Sequence, residues 1–205
     1  MRLIWAVLLA AVLAGCASVG KIEGEQVVND RLAVRLPAAW NKVSDPWEVD
    51  PFDTWTQEGV PLDQLRLWGG VASGMPLMIR QPNTSRAPDA RDRRVPTYRA
   101  GMTPEEIVTL FEQFYSNAGT VRITRVEPDR FAGQPGVRFE FTLARRIDDV
   151  VLQGVGWAAA REDALYAATF VAPRLSFFAR LRPMAEAVVK TARIKAPTPQ
   201  EQPRL

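Results

Sequence analysis

The sequence predicts an α+β fold over residues 26–195, an antiparallel β-sheet with helices before and after its main strands. Three observations predict it. Strand-like runs at 120–126, 137–144, 150–160 and 164–172 are joined by short polar connections, and strands so joined pair antiparallel because a parallel pair needs a long crossover. Val137, Phe139, Phe141 and Leu143 alternate with Arg138, Glu140 and Thr142, the pattern of a strand with one buried face. A helical signal precedes these runs and another follows them.

Taken in order, the chain opens with Arg2, an unbroken apolar run from Leu3 to Leu13, and then small residues, the layout of a secretory signal. A membrane helix is the competing reading, but a span needs about 20 predominantly apolar residues, and Gly15, Ser18 and Gly20 dilute the second half of this window. In place of an Ala-x-Ala cleavage site the run closes on Leu13-Ala14-Gly15-Cys16. This resembles the lipobox of bacterial lipoprotein precursors. The resemblance implies that residues 1–15 are removed as a signal peptide and that Cys16 is acylated and becomes the N-terminus. Several acyl chains hold a protein to a bilayer where one holds only weakly. By the same resemblance, Ala17 rather than Asp after the cysteine favours the outer membrane, with the domain facing the periplasm. Residues 16–25 then read as a lipidated N-terminus and tether.

Val27-Val28, the turn pair Asn29-Asp30, and Leu32, Val34 and Leu36 predict a hairpin, its return strand ended by Pro37. Between Asp45 and Asp63 stand six acids (Asp45, Glu48, Asp50, Asp53, Glu58, Asp63) and no basic residue, interleaved with Trp47, Phe52 and Trp55. Prolines and Gly59 break this stretch into loop, strand near 54–57, and loop. Trp47, Asp50, Phe52, Asp53 and Trp55 form the candidate partner surface, since exposed aromatics anchor interfaces and rim charges steer association. The competing reading makes the tryptophans core and the acids solubilising. Leu65 to Trp68 reads as a strand closing at Gly69-Gly70. Residues 82–100 read as a long surface loop with Arg86, Arg91, Arg93, Arg94 and Arg99.

Thr103-Pro104-Glu105-Glu106 is a capping box with proline where a missing N–H costs nothing. Ile107, Leu110, Phe111, Phe114 and Ala118 then fall on one helical face, and Gly119 is the C-cap candidate. After the four strands, Phe177, Leu181, Met184, Val188 and Ala192 mark a last helix running from about Pro183 to Ala192. Residues 196–205, proline-rich and polar, read as a disordered tail.

Arg31-Leu-Ala-Val-Arg-Leu-Pro-Ala-Ala-Trp40 and Ala132-Gly-Gln-Pro-Gly-Val-Arg-Phe-Glu-Phe141, in this order of elements, resemble the Mog/PsbP-like superfamily. The resemblance implies an antiparallel β-sheet flanked by helices in an α/β/α sandwich, and non-enzymatic accessory or binding roles. It transfers no site residue.

Composition narrows the chemistry. Lys and Arg total 26 against 23 acids, a net charge of +3. The isoelectric point of 9.3 reflects the absence of histidine, since almost nothing titrates between carboxylates and basic groups. This weak charge, together with the envelope compartment, disfavours a nucleic-acid partner, and none is predicted. With no histidine and one cysteine, the commonest general base, Ser-His and Cys-His nucleophiles, and most zinc sites are absent. Asp50-Pro-Phe-Asp53 lacks the ligand spacing of a calcium loop, and the scattered acids define no glycosidase pair. The sequence therefore predicts no catalytic residue, metal or cofactor. It predicts an envelope protein, bound to the membrane through Cys16, that docks on another envelope protein. The alternative is a carrier of a small ligand or lipid with a pocket between sheet and helices, and a large apolar cavity would distinguish it.

Overall fold

The computed structural model describes residues 18–44, 50–79 and 95–195. The lipobox with Cys16, Trp47, the arginines at 86, 91, 93 and 94, and the 196–205 tail lie outside the described residues. Strands β1 (Ser18–Val28), β2 (Leu32–Ser44), β3 (Phe52–Thr56) and β4 (Gln64–Ala72) are followed by helix α1 (Pro104–Ser116). Then come β5 (Gly119–Phe131), β6 (Gln134–Arg145), β7 (Val151–Arg161), β8 (Ala164–Pro173), helix α2 (Phe178–Val189) and the short β9 (Arg193–Ile194). Among the described residues these nine strands form one sheet in the order β1-β2-β3-β4-β8-β7-β6-β5, with β9 paired to β2.

Every strand pairing is antiparallel, as the short connections require. The β1–β2 turn holds Asn29 and Asp30 at φ 47° and 55°, the left-handed geometry a tight hairpin demands. β1 begins at Ser18, however, inside the segment read as tether. Ser18 stands opposite Ser44, and Val43 opposite Thr54 on β3. β2 does not stop at Pro37. Its pairing to β1 shifts between Leu36 and Trp40, so the missing proline N–H falls where the ladder is already interrupted.

The α/β/α sandwich is corrected. The two helices have 13 and 12 residues, one packing on β5 and β6 and the other on β2, β7 and β8. Against so broad a sheet neither makes a helical layer. The physical reason is that the expected breaks are not breaks. β4 runs on through Gly69-Gly70 with a bulge against β8. The segment from Pro128 to Gly136 continues β5 into β6 around Ala132 and Gly133, at φ 49° and 81°. Residues expected in loops are thus in strands.

Each face has its own core. On the α1 side Trp68, Phe111, Phe139 and Phe141 meet, and on the α2 side Trp40, Trp55, Trp157, Phe170 and Phe178. β8 is buried along nearly its whole length because both faces are covered where it runs. The capping box forms as read, with Thr103 Oγ1 accepting from Glu106 N–H and Glu106 accepting from Thr103 N–H. Asn117, not Gly119, is the C-cap. Gly119 opens β5 where an added Cβ would lie 2.0 Å from the Ala144 carbonyl oxygen. Helix α2 starts at Phe178 rather than near Pro183, which lies inside it. The carbonyl deprived of its partner by that proline belongs to exposed Ala179.

Candidate functional site

At the β5–β6 end of the sheet, the face that carries α2 is left uncovered. Cross-strand pairing places Glu127 opposite Arg138, Arg125 opposite Glu140, and Arg138 opposite Trp157. Val137 and Phe139 turn to the α1 core, so Arg138 and Glu140 point the other way. The last two turns of α2 add Arg182 and Glu186 beside them. The result is an open groove of about 600 Å³ bordered by β5, β6, Trp157 and the end of α2.

Its floor is an ion-pair lattice. Arg138, with 11% of its side chain exposed, reaches Glu127 and Glu140 at 2.6 Å each and Glu186 at 3.9 Å. Arg182 binds Glu186 at 2.7 Å and Glu140 at 3.4 Å, and Arg125 binds Glu127 at 2.7 Å. The Arg138 guanidinium also lies 6.0 Å from the Trp157 ring centroid. Burial works against the charge of Arg138, but its bonds to Glu140 and Glu127 outweigh burial and raise its pKa. The hydrogen bond from Arg138, with lesser help from Arg125, holds Glu127 below the ordinary carboxylate value.

Glu127 is thereby held ionised, and Glu140 and Glu186 are engaged in ion pairs, an arrangement poorly suited to proton transfer. No group of three His, Cys, Asp or Glu side chains among the described residues could hold a metal ion. The groove's rim carries two cations beside the single acid Asp129. Arg130 and Lys190 line it with no ion pair among the described residues. Another concavity, about 230 Å³ between Pro37, Trp40 and Met184, is apolar but falls short of the ~300–1,000 Å³ typical of ligand pockets.

Of the predicted partner surface, the structure describes Asp50, Phe52, Asp53 and Trp55. Trp55 is fully buried in the α2-side core. Phe52 is half-buried, its ring 5.0 Å from Trp68 and 5.7 Å from Phe114. Asp53 pairs with Lys42 at 2.6 Å, and Asp50 accepts from Ile79 N–H at 2.7 Å. Further along, Glu58 pairs with Arg180 at 2.8 Å. Buried Asp63 accepts from Thr56 Oγ1, Gln57 N–H and Glu58 N–H at 2.7 to 2.8 Å. Most of these acids therefore serve as latches within the domain. Sequence reading missed the groove because Arg138 and Glu140 looked like the solvent face of a one-sided strand. The signal was available in the alternation of Arg125, Glu127 and Asp129 beyond Val126, and in the i,i+4 pair Arg182 and Glu186.

No family model matches the chain, and no curated protein matches its sequence. Solved structures do resemble it in shape. The solution structure of the cyanobacterial PsbP of Synechocystis has a TM-score of 0.49 at 10% identity, covering 89% of this chain and 96% of its own. A Pseudomonas aeruginosa protein of unknown function, described as a putative regulator, has 0.44 at 13% identity, with coverage of 82% and 98%. LpqN, involved in cell envelope biogenesis of Mycobacterium tuberculosis, has 0.36 at 9% identity, with coverage of 90% and 88%. At such identities no residue role carries over.

Proposed function

We propose that this protein is a non-enzymatic accessory domain of the bacterial envelope, anchored through acylated Cys16 and docking on another envelope protein through the groove beside α2. Leu13-Ala14-Gly15-Cys16 supports the anchor. The observation that favours docking over carriage is the groove itself, which is open and floored by the Arg138 ion pairs rather than enclosed and apolar. A lipid carrier needs an apolar cavity, and in this fold the space between sheet and helices is filled by tryptophan and phenylalanine side chains. Arg130 and Lys190, which make no ion pair among the described residues, would steer an acidic partner surface.

Mass spectrometry of the membrane-extracted chain tests the reading. It should begin at an acylated Cys16, and Cys16→Ser should release the protein from the membrane fraction. Organic extraction of the purified protein should yield no lipid beyond the covalent acyl groups. Co-purified free lipid in stoichiometric amount would move the assignment to the carrier, and an intact Met1 terminus would remove the anchor.

A further inference from the structure

Among the described residues, Arg66 is the one half-buried arginine of the sheet whose charge meets no acid. It lies mid-strand in β4, with Thr54 of β3 and Thr169 of β8 beside it. Its guanidinium sits among three aromatic rings, 5.6 Å from the centroid of Phe52, 5.5 Å from Phe114 and 5.8 Å from Tyr115. Its hydrogen bonding is sparse. Nη1 makes one long bond, 3.4 Å, to the Tyr115 hydroxyl, which is itself held by Thr169 Oγ1 at 2.6 Å. Nε is buried and donates to nothing. Among the described residues Arg66 makes no ion pair, whereas Arg138 in the opposite face of the sheet binds three carboxylates.

An arginine carries five N–H donors in a rigid planar fork. Keeping Nε buried without an acceptor is unfavourable, and ring faces compensate the charge without accepting its hydrogen bond. The missing group is therefore an acceptor. Its charge can be bounded as well. Phe114 and Tyr115 belong to the last turn of α1, where unpaired carbonyls carry partial negative charge. That end of the helix favours the arginine and disfavours a multiply charged anion beside it. The planar fork matches a planar carboxylate in two-point contact.

We propose that Arg66, walled by Phe52, Phe114 and Tyr115, is a receptor for a single carboxylate group, supplied either by a small carboxylic acid or by a polypeptide. This site lies on the α1 face, away from the Arg138 groove, and does not depend on the docking reading above.

The test uses the full-length Cys16→Ser chain with 15N-labelled arginine, following the Arg66 Nε–Hε resonance at constant ionic strength. Sodium acetate, sodium benzoate, a short peptide with a free C-terminal carboxylate and its C-terminal amide are titrated in parallel, with inorganic phosphate as the dianion. A saturable shift with the carboxylates, at least tenfold weaker with phosphate, is expected. Tighter binding by the peptide acid than by benzoate, with none by the amide, identifies a polypeptide source, and the reverse order a small acid. Arg66→Met should abolish the response without lowering the unfolding temperature, and Arg66→Lys, which keeps the charge but not the fork, should weaken it at least tenfold. No saturation with any carboxylate, or phosphate binding as tightly as acetate, would overturn the proposal. So would Arg66→Met unfolding at lower temperature in a protein whose wild-type form shows no carboxylate response, which would make Arg66 a structural cation.

Discussion

Replacing Gly156 by alanine should destabilise the domain through one identifiable collision. Gly156 stands opposite Phe139 across β6 and β7, and the Phe139 ring lies over its backbone. A Cβ at Gly156 would fall 2.2 Å from Phe139 Cζ and 2.6 and 2.7 Å from the two Cε atoms, so the ring must move by more than an ångström. It has little room. Phe139 is fully buried, with Phe111 of α1 at 5.4 Å and Phe141 at 6.0 Å between ring centroids. Overpacking of this kind costs about 1–3 kcal/mol. For a domain of this size, where each kcal/mol shifts Tm by about 2–4 °C, that lowers Tm by roughly 2–12 °C. Urea unfolding followed by far-UV circular dichroism should show a lower midpoint with an unchanged slope. Phe139→Leu, introduced together with Gly156→Ala, should recover part of the loss, giving a favourable coupling of about 1 kcal/mol in a double-mutant cycle. Gly20→Ala is the control, since an added Cβ there meets nothing within 4 Å. A wild-type midpoint for Gly156→Ala, or strict additivity with Phe139→Leu, would refute the collision.

Three further outcomes can be checked on the same protein. Thr103→Ala removes the acceptor for Glu106 N–H and should cost about 0.5–2 kcal/mol in denaturant unfolding. Asp63→Ala strands two backbone N–H groups and a buried hydroxyl; losing their shared acceptor should cost at least ~1–3 kcal/mol and raise hydrogen exchange at Gln57 and Glu58 selectively. Arg138 holds the Glu127 pKa below its ordinary 4.5, so the folded state binds fewer protons there than the unfolded chain. That contribution is complete above pH 4.5 and is lost as pH falls through the lower folded-state value. Glu127→Gln should therefore flatten the acid limb of a Tm-versus-pH curve below pH 4.5 and leave its shape at neutral pH unchanged.

How far the sequence could be read depended on whether the deciding interaction was local. The capping box at Thr103, the Asn29-Asp30 turn and the alternation from Val137 to Leu143 are fixed by neighbours within a few residues, and each stands where the sequence put it. Pro37 and Gly69 misled for the opposite reason. Both usually break strands, yet each occupies a place that only a distant segment defines, a shift in the β1 ladder for one and the Val28 backbone for the other. The same holds for the acids between 50 and 63. Their composition suggested a surface, but Lys42, Ile79 and Arg180, which receive Asp53, Asp50 and Glu58, are 11, 29 and 122 residues away in the chain. The Arg138 groove needed β5, β6 and α2 together, and no window of the sequence contains all three.

The starting point of β1 has a consequence for how the domain meets its surroundings. Ser18 is already in a strand, two residues after Cys16, and two residues span roughly 7 Å at full extension. Were Cys16 acylated, as proposed above, the domain would be mounted as a short bracket and could not sweep a wide radius on a leash. The pairing of Ser18 with Ser44, and of Val43 with Thr54, sends the chain from Ser18 toward the Phe52 end of β3. The opposite end of the sheet carries the β6–β7 and β8–α2 turns, where Ile147 and Leu175 are 86% and 77% exposed. Under the proposed anchoring, those turns would sit at the far side from the anchor. Any partner held in the same leaflet would be presented with nearly the same aspect of the domain each time, which raises its effective concentration at one orientation and lowers it at all others.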